Sequence, residues 1–194
     1  MPTLSRLQSC TLKSSVFLAM RKIILNVAVS LDGFIEDANG SYDWCLTDQD
    51  YGMTDFFSHV DTMFIGRKSY ELLINADDRH VFPGIKKYVF SDTLAQTQYQ
   101  EIEVVPRAKF AEAVKEIREL PGGDIWLFGG ADLVSAFVSN NLIDELLLAI
   151  HPVILSSGKP LFKDLKERIN LELIDSKTYD TGLIQARYLK KAGI

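Results

Sequence analysis

Apolar positions along the chain recur with two periods, and their order predicts most of the elements. Residues 22–30 (Lys-Ile-Ile-Leu-Asn-Val-Ala-Val-Ser) form a nearly continuous apolar run with branched residues, as expected for a strand covered on both faces. Shorter runs at 61–65, 86–90, 101–105 and 125–128 predict further strands. Helical spacing appears weakly over 51–59 and again over 66–73. It returns in Phe110, Ala113, Val114 and Ile117 within 109–120, and in Leu133, Val134, Phe137 and Val138 after Gly129-Gly130. The chain turns strongly apolar at 142–150 and then alternates over 171–179 and 183–189, with Asp180-Thr181-Gly182 as a hairpin turn between them. The order predicts an α/β fold: a mixed, mostly parallel sheet flanked by helices, ending in a C-terminal antiparallel hairpin. Residues 20–194 read as one domain. Residues 1–19 do not share the pattern and are predicted to be a disordered extension, with Met20 as the functional beginning. Their apolar patch at 16–19 is shorter than the ~7–15 residues of a signal-peptide core.

Two of the predicted strands give way to helices at glycine. Ile125, Trp126, Leu127 and Phe128 run into Gly129-Gly130, and a helix opens with Ala131, Asp132 and Leu133. Missing side chains at such a junction let a ligand approach the backbone, and the unpaired N–H groups of the new helix point toward an anion placed there. A tight turn alone also explains the pair. The second junction is Gly66-Arg67-Lys68-Ser69, whose first helical turn adds two cations and a hydroxyl. Cations oppose the helix dipole at that end. A bound phosphate would neutralise them; the competing reading is an exposed, solvated pair.

Composition narrows the classes. With 47% apolar and 24% charged residues in 194, the chain is ordinary for a globular protein and unlike a disordered one. A formal charge of −5 and no basic run disfavour nucleic acid, so any anionic ligand must be held locally. No stretch reaches the ~18 consecutive apolar residues of a membrane span. Cys10 and Cys45 offer neither a disulfide framework nor a zinc set, which fits a reducing cytoplasm. His59, His80 and His151 lack ligand-like spacing, so no metal site is expected.

Candidate chemistry also lies on the loops. Asp32 and Trp44 follow the first strand, where substrate-facing groups commonly sit; alternatively Asp32 caps a turn and Trp44 anchors the core. Ser91-Asp92 end the 86–90 strand, where a dinucleotide-binding sheet reads the adenine ribose; they also read simply as a turn.

Several motifs together carry a family resemblance. They are residues 30–35 (Ser-Leu-Asp-Gly-Phe-Ile), Gly66-Arg67-Lys68-Ser69-Tyr70, Tyr88-Val89-Phe90-Ser91, Phe128-Gly129-Gly130-Ala131, residues 142–146, and Pro152 to Leu155 with residues 158–162. In order and spacing they resemble the dihydrofolate reductase superfamily, most closely its bacterial branch akin to the reductase domain of riboflavin biosynthesis. The resemblance covers nearly the whole domain. It implies a dihydrofolate-reductase-like fold and a reductase transferring hydride from NADPH to a pterin-like or flavin-precursor-like heterocycle. NADH is left open by Asp92, where many relatives carry a basic residue. Carried over by position, Gly66, Arg67, Lys68 and Ser69, with Gly129, Gly130, Ala131, Asp132 and Leu133, would hold the pyrophosphate, and Phe128 would be a further cofactor-binding residue. Ser91 and Asp92 would face the adenosine, and Ala28 with residues 31–34 would frame the nicotinamide. Asp32 would support protonation, and Trp44, Lys159 and His151 would face the substrate. A homodimer through the apolar 146–150 region is also implied. The other expectation kept open is a non-catalytic nucleotide- or pterin-binding protein of the same fold.

Overall fold

The computed structural model describes residues 20–75, 82–95 and 100–191. The predicted extension 1–19, with Cys10, and His80 lie outside them. Eight strands form one sheet: β1 (Ile23–Ser30), β3 (Val60–Gly66), β4 (Lys86–Phe90), β5 (Ile102–Val105), β6 (Asp124–Gly129), β7 (Glu145–His151), β9 (Leu171–Thr178) and β10 (Ile184–Lys190). Their order is β5-β4-β3-β6-β1-β7-β10-β9, parallel from β5 to β7, with β10 antiparallel to both β7 and β9.

Alternation along the strands explains the continuous apolar runs. Phe64, Tyr88, Phe90, Ile125 and Leu127 point to one face, where they pack with Val114 and Ile117 of α3 (Phe110–Glu119) and Val134 and Phe137 of α4 (Ala131–Ser139). Met63, Ile65, Val89 and Trp126 point to the other, beneath α1 (Met53–His59) and α2 (Arg67–Asn75). Both faces are covered, so consecutive residues are both apolar. Phe64 and Phe137 are fully buried, and burying such a ring contributes roughly 1.5–3 kcal/mol. Helix α4 buries Ala131, Val134 and Phe137 at a spacing of three, and stops where Asn141 adopts φ 57°.

One element is missing from the sequence reading. Residues 34–37 and 158–160, read as loops, pair as β2 (Phe34–Asp37) and β8 (Gly158–Pro160) in a separate antiparallel ribbon. Gly158 has φ 145°, and a Cβ there would overlap the Glu36 backbone. Only a glycine lets these strands approach so closely, and Gly-Lys-Pro carries no strand periodicity for a sequence to show.

The amino edge of the sheet is closed by charge pairs. Arg21 pairs with Asp61 and donates to Gly123 O (2.5 Å) and Thr62 Oγ1 (2.7 Å). Arg118 meets Asp144 at 2.9 Å. The carboxyl edge is built differently.

Candidate functional site

At the carboxyl edge the chain changes direction. Strand β3 leads through α2 to β4 on one side, whereas β6, its neighbour, leads over β1 through α4 to β7 on the other. Connections that diverge from adjacent strands leave a crevice between them, the usual ligand position in an open α/β sheet. Here the two strands are those that end in the glycine junctions.

The junctions touch. A Cβ on Gly66 would lie 3.5 Å from Gly129 O and 3.6 Å from Gly130 N, and one on Gly130 would meet Ser69 Oγ at 3.1 Å. Side chains at these positions would fill the floor of the crevice. Gly129 has φ 113°, a conformation that L side chains rarely adopt, and the Gly129–Gly130 peptide is cis. Above this floor opens a cleft of about 460 Å³. Gly66, Arg67, Lys68 and Ser69 line it from one junction; Gly130, Ala131, Asp132, Leu133 and Ala136 line it from the other. Phe90, Arg107, Phe110, Lys159 and Lys163 complete the wall.

Among the described residues, five cations and one carboxylate therefore face this cleft in a chain whose net charge is −5. Asp132 pairs with Lys163, which together with Lys68 and Arg107 holds its carboxyl below the usual range despite some desolvation; Asp132 in turn raises the Lys163 ammonium. Arg67 pairs with Glu71 at 2.8 Å, and Lys159 pairs with Glu36. Among the described residues nothing pairs with the Lys68 ammonium. It stands in the first turn of α2, where that turn has no acidic residue and the dipole disfavours a cation.

Other expected site residues lie elsewhere. Ser91 and Asp92 make a turn: Ser91 Oγ accepts from Thr93 N (3.1 Å) and Leu94 N (2.9 Å). Asp92 accepts from Arg107 N at 2.8 Å and stands 3.8 Å from its guanidinium. The group on the cleft at this end is thus Arg107, which the sequence reading missed. Arg107 follows Pro106 just past β5, and its place beyond the carboxyl end of a parallel strand is the only sequence signal for it. Lys163, in an irregular segment, had none.

The Phe128 ring, expected among the cofactor-binding residues, packs on Phe82 and Trp126 under α1 and α2. Ala28 lies within β1 opposite Ala149 of β7 and is not part of the cleft wall. Trp44 stacks edge-on against His151, with ring centroids 5.3 Å apart, and its buried indole nitrogen has no hydrogen-bond partner among the described residues. His151 Nδ1 accepts from Leu46 N at 3.3 Å, and burial lowers the basicity of the ring, so it is neutral. Lys159 is on the cleft; Trp44 and His151 form a corner beyond β1.

Asp32 lies outside the cleft wall and is engaged by neighbouring donors. Partial desolvation works to raise its carboxyl pKa, but donation from Ser30 Oγ (2.7 Å), Leu155 N (3.1 Å) and Ser156 N (2.8 Å) outweighs this and lowers it. A carboxylate so engaged is ionised at neutral pH and holds no proton to donate. Its contacts are those of a loop fastener. Cys45 is no nucleophile either, since burial raises its thiol to about 11. Among the described residues no group of three or more potential metal ligands comes together, and no helix is long and apolar enough to cross a membrane.

Comparison with known proteins bears on the fold. A model of the RibD C-terminal domain family matches residues 21–185. Two uncharacterized proteins of Bacillus subtilis (strain 168) are similar over nearly their whole length. YyaP is 43% identical over 182 residues, covering 88% of this chain and 96% of its own; YwjB is 35% identical over 174 residues, covering 88% and 98%. Among solved structures, a Shewanella sp. PV-4 protein named for riboflavin biosynthesis superposes with a TM-score of 0.79 at 23% identity, over 88% of this chain and 99% of that one. A Thermotoga maritima diaminohydroxyphosphoribosylaminopyrimidine deaminase/5-amino-6-(5-phosphoribosylamino)uracil reductase superposes at 0.69 with 13% identity, over 89% of this chain and 57% of that one. These structural likenesses establish the shared fold.

Proposed function

The chain belongs to the RibD C-terminal domain family, and from that premise we propose that it is an NADPH-dependent reductase of a small pterin-like or flavin-precursor-like heterocycle. One observation carries the reading: two glycine junctions in contact at the switch point of the sheet, under a cleft walled by five cations. The residues fit a dinucleotide. Amides at the starts of α2 and α4 and the hydroxyl of Ser69 suit a diphosphate, Lys68 makes no ion pair among the described residues, and Phe90 with Phe110 offers an apolar wall beside Arg107.

When bound, the nicotinamide supplies the hydride. The protein binds and orients: bare glycine backbone sets the depth of approach, and the cations fix the phosphates. Reduction of a carbon–nitrogen or carbonyl bond also needs a proton. Asp32 and Asp132 both have lowered carboxyl pKa values, so neither stores that proton at neutral pH, and the reading assigns it to solvent.

Arg107 favours the phosphorylated coenzyme, because a guanidinium beside Asp92 offsets the repulsion that a lone carboxylate would exert on a 2′-phosphate. Asp92→Arg is expected to strengthen NADPH relative to NADH by about tenfold, one charge-assisted contact's worth. Competitive titration with the two coenzymes measures it; an unchanged ratio removes this corner from the adenosine site. The activity itself is tested by following NADPH oxidation against a panel of pterins and pyrimidines. Tight coenzyme binding without turnover on any acceptor would favour the non-catalytic binder.

A second copy of the chain is the proposed partner. The expected 146–150 region does not offer the surface, because β7 lies between β1 and β10 with Leu146 and Leu147 buried; on the face that carries α3 and α4, Leu173 of β9 and Ile184 of β10 are exposed, 53% and 41% accessible. Sedimentation equilibrium is expected to give twice the chain mass, falling to one on Leu173→Glu with Ile184→Glu; a wild-type monomer would contradict the pairing.

A further inference from the structure

We propose that Asp32 is a positioning residue that sets coenzyme affinity from outside the cleft, by fastening the ribbon that carries Lys159 to the end of β1. The inference rests on the coenzyme-binding reading and adds a residue that acts through another.

Asp32 lies in the turn after β1, where Gly33 N donates to Ser30 O at 3.0 Å. Ser30, almost fully buried, holds this turn with one hydroxyl: Oγ donates to Asp32 and accepts from Phe34 N at 2.9 Å. Across from the turn is the β7–β8 loop. Leu31 N donates to Val153 O at 2.8 Å, and the successive amides of Leu155 and Ser156 both donate to the Asp32 carboxylate. Two backbone donors on one anion form a charge-assisted clasp.

Both segments leave the clasp as strands of the ribbon. The turn runs into β2, which carries Glu36; the loop runs into β8, which carries Lys159, and the two side chains pair. Leu161 N then donates to Gly33 O at 2.9 Å, returning the chain to the same turn. The ammonium that borders the cleft is therefore placed by a three-residue strand that pairs with β2 and not with the main sheet, anchored on one side by the buried Leu161 and on the other by the clasp. Its location follows from the clasp. Asp32 is not in the cleft wall.

The test is a double-mutant cycle on NADPH affinity in the full chain. Asp32→Ala is expected to weaken NADPH about fivefold or more, Asp32→Asn less because its amide oxygen still accepts, and Asp32→Ala in the Lys159→Ala background to add nothing. Amide exchange at Leu155, Ser156 and Lys159 is expected to rise in Asp32→Ala while that of β1 stays unchanged, which separates a local loosening from a misfolded chain. Additive losses in the cycle, or unchanged affinity in Asp32→Ala, overturn the proposal. So does a variant that keeps its NADPH affinity but loses turnover, which would mark Asp32 as a proton donor. If the wild-type chain binds no NADPH, the coenzyme reading fails by itself. The exchange arm then decides the clasp, and protection at Lys159 that is unchanged by Asp32→Ala overturns it.

Discussion

Lys68→Glu combined with Arg107→Glu is expected to abolish measurable NADPH binding. Each side chain stands on the cleft, Lys68 at the start of α2 and Arg107 at the far wall beyond β5. Each is free to meet a phosphate, since Lys68 has no partner among the described residues and Arg107 holds Asp92 only at 3.8 Å. A hydrogen bond to a charged group contributes roughly 1.5–3 kcal/mol, so losing both removes about 3–6 kcal/mol, or two to four powers of ten in affinity. Reversing rather than deleting the charges adds repulsion. The two positions should also differ from one another. Lys68→Ala is expected to weaken NADPH and NADH alike, because both carry the diphosphate, whereas Arg107→Ala is expected to weaken NADPH alone. Titration at two salt concentrations checks the cause, since a charge effect shrinks as salt rises. Equal affinity in the double variant and the wild type would mean that the cleft is not the anion site.

The second large effect is expected at Gly129. Its φ of 113° is costly for any side chain, although a Cβ there would meet Val134 Cγ2 at an ordinary 3.7 Å. The penalty of Gly129→Val is therefore one of backbone conformation more than of space, about 1–3 kcal/mol of stability. Relief of that strain moves the start of α4, and a displacement of ~1 Å at a binding element can cost about a hundredfold. Gly84→Val is the control. Gly84 also has positive φ, at 80°, with nothing within 4 Å of its Cβ, and it precedes β4 at the opposite edge of the sheet. Denaturant unfolding should show both variants destabilised, while only Gly129→Val loses NADPH. Normal affinity in Gly129→Val would separate the junction from the ligand.

The two cases also show what the sequence could reveal. Glycine after an apolar strand and before a helical pattern is a local signal, because its cause, a backbone without side chains, is local. Gly66 and Gly129-Gly130 are accordingly legible, as are seven strands of the main sheet; the eighth, β7, reads only as a strongly apolar stretch next to the antiparallel tail, whereas it pairs parallel with β1. The β2–β8 ribbon is not legible, since Gly158-Lys159-Pro160 is a strand only because a partner from 34–37 lies beside it. Arg107 escaped notice because its position follows from the order of strands and not from its neighbours. Asp32 was noticed for the right reason, a carboxylate on a loop leaving a central strand, but its role depends on amides 123 and 124 residues further on. No window of sequence contains that information. Phe128 and Asp92 illustrate the same limit, each standing next to a site residue while its side chain turns to other work.

The central claim is that two β-to-α junctions jointly hold one diphosphate. The most direct measurement is a crystal structure of the chain with NADPH bound. The account predicts both phosphorus atoms between Gly66–Ser69 and Gly129–Leu133, with Lys68 on the diphosphate and Arg107 toward the 2′-phosphate. Coenzyme bound elsewhere on the molecule, or a diphosphate contacting one junction while the other faces solvent, would contradict it.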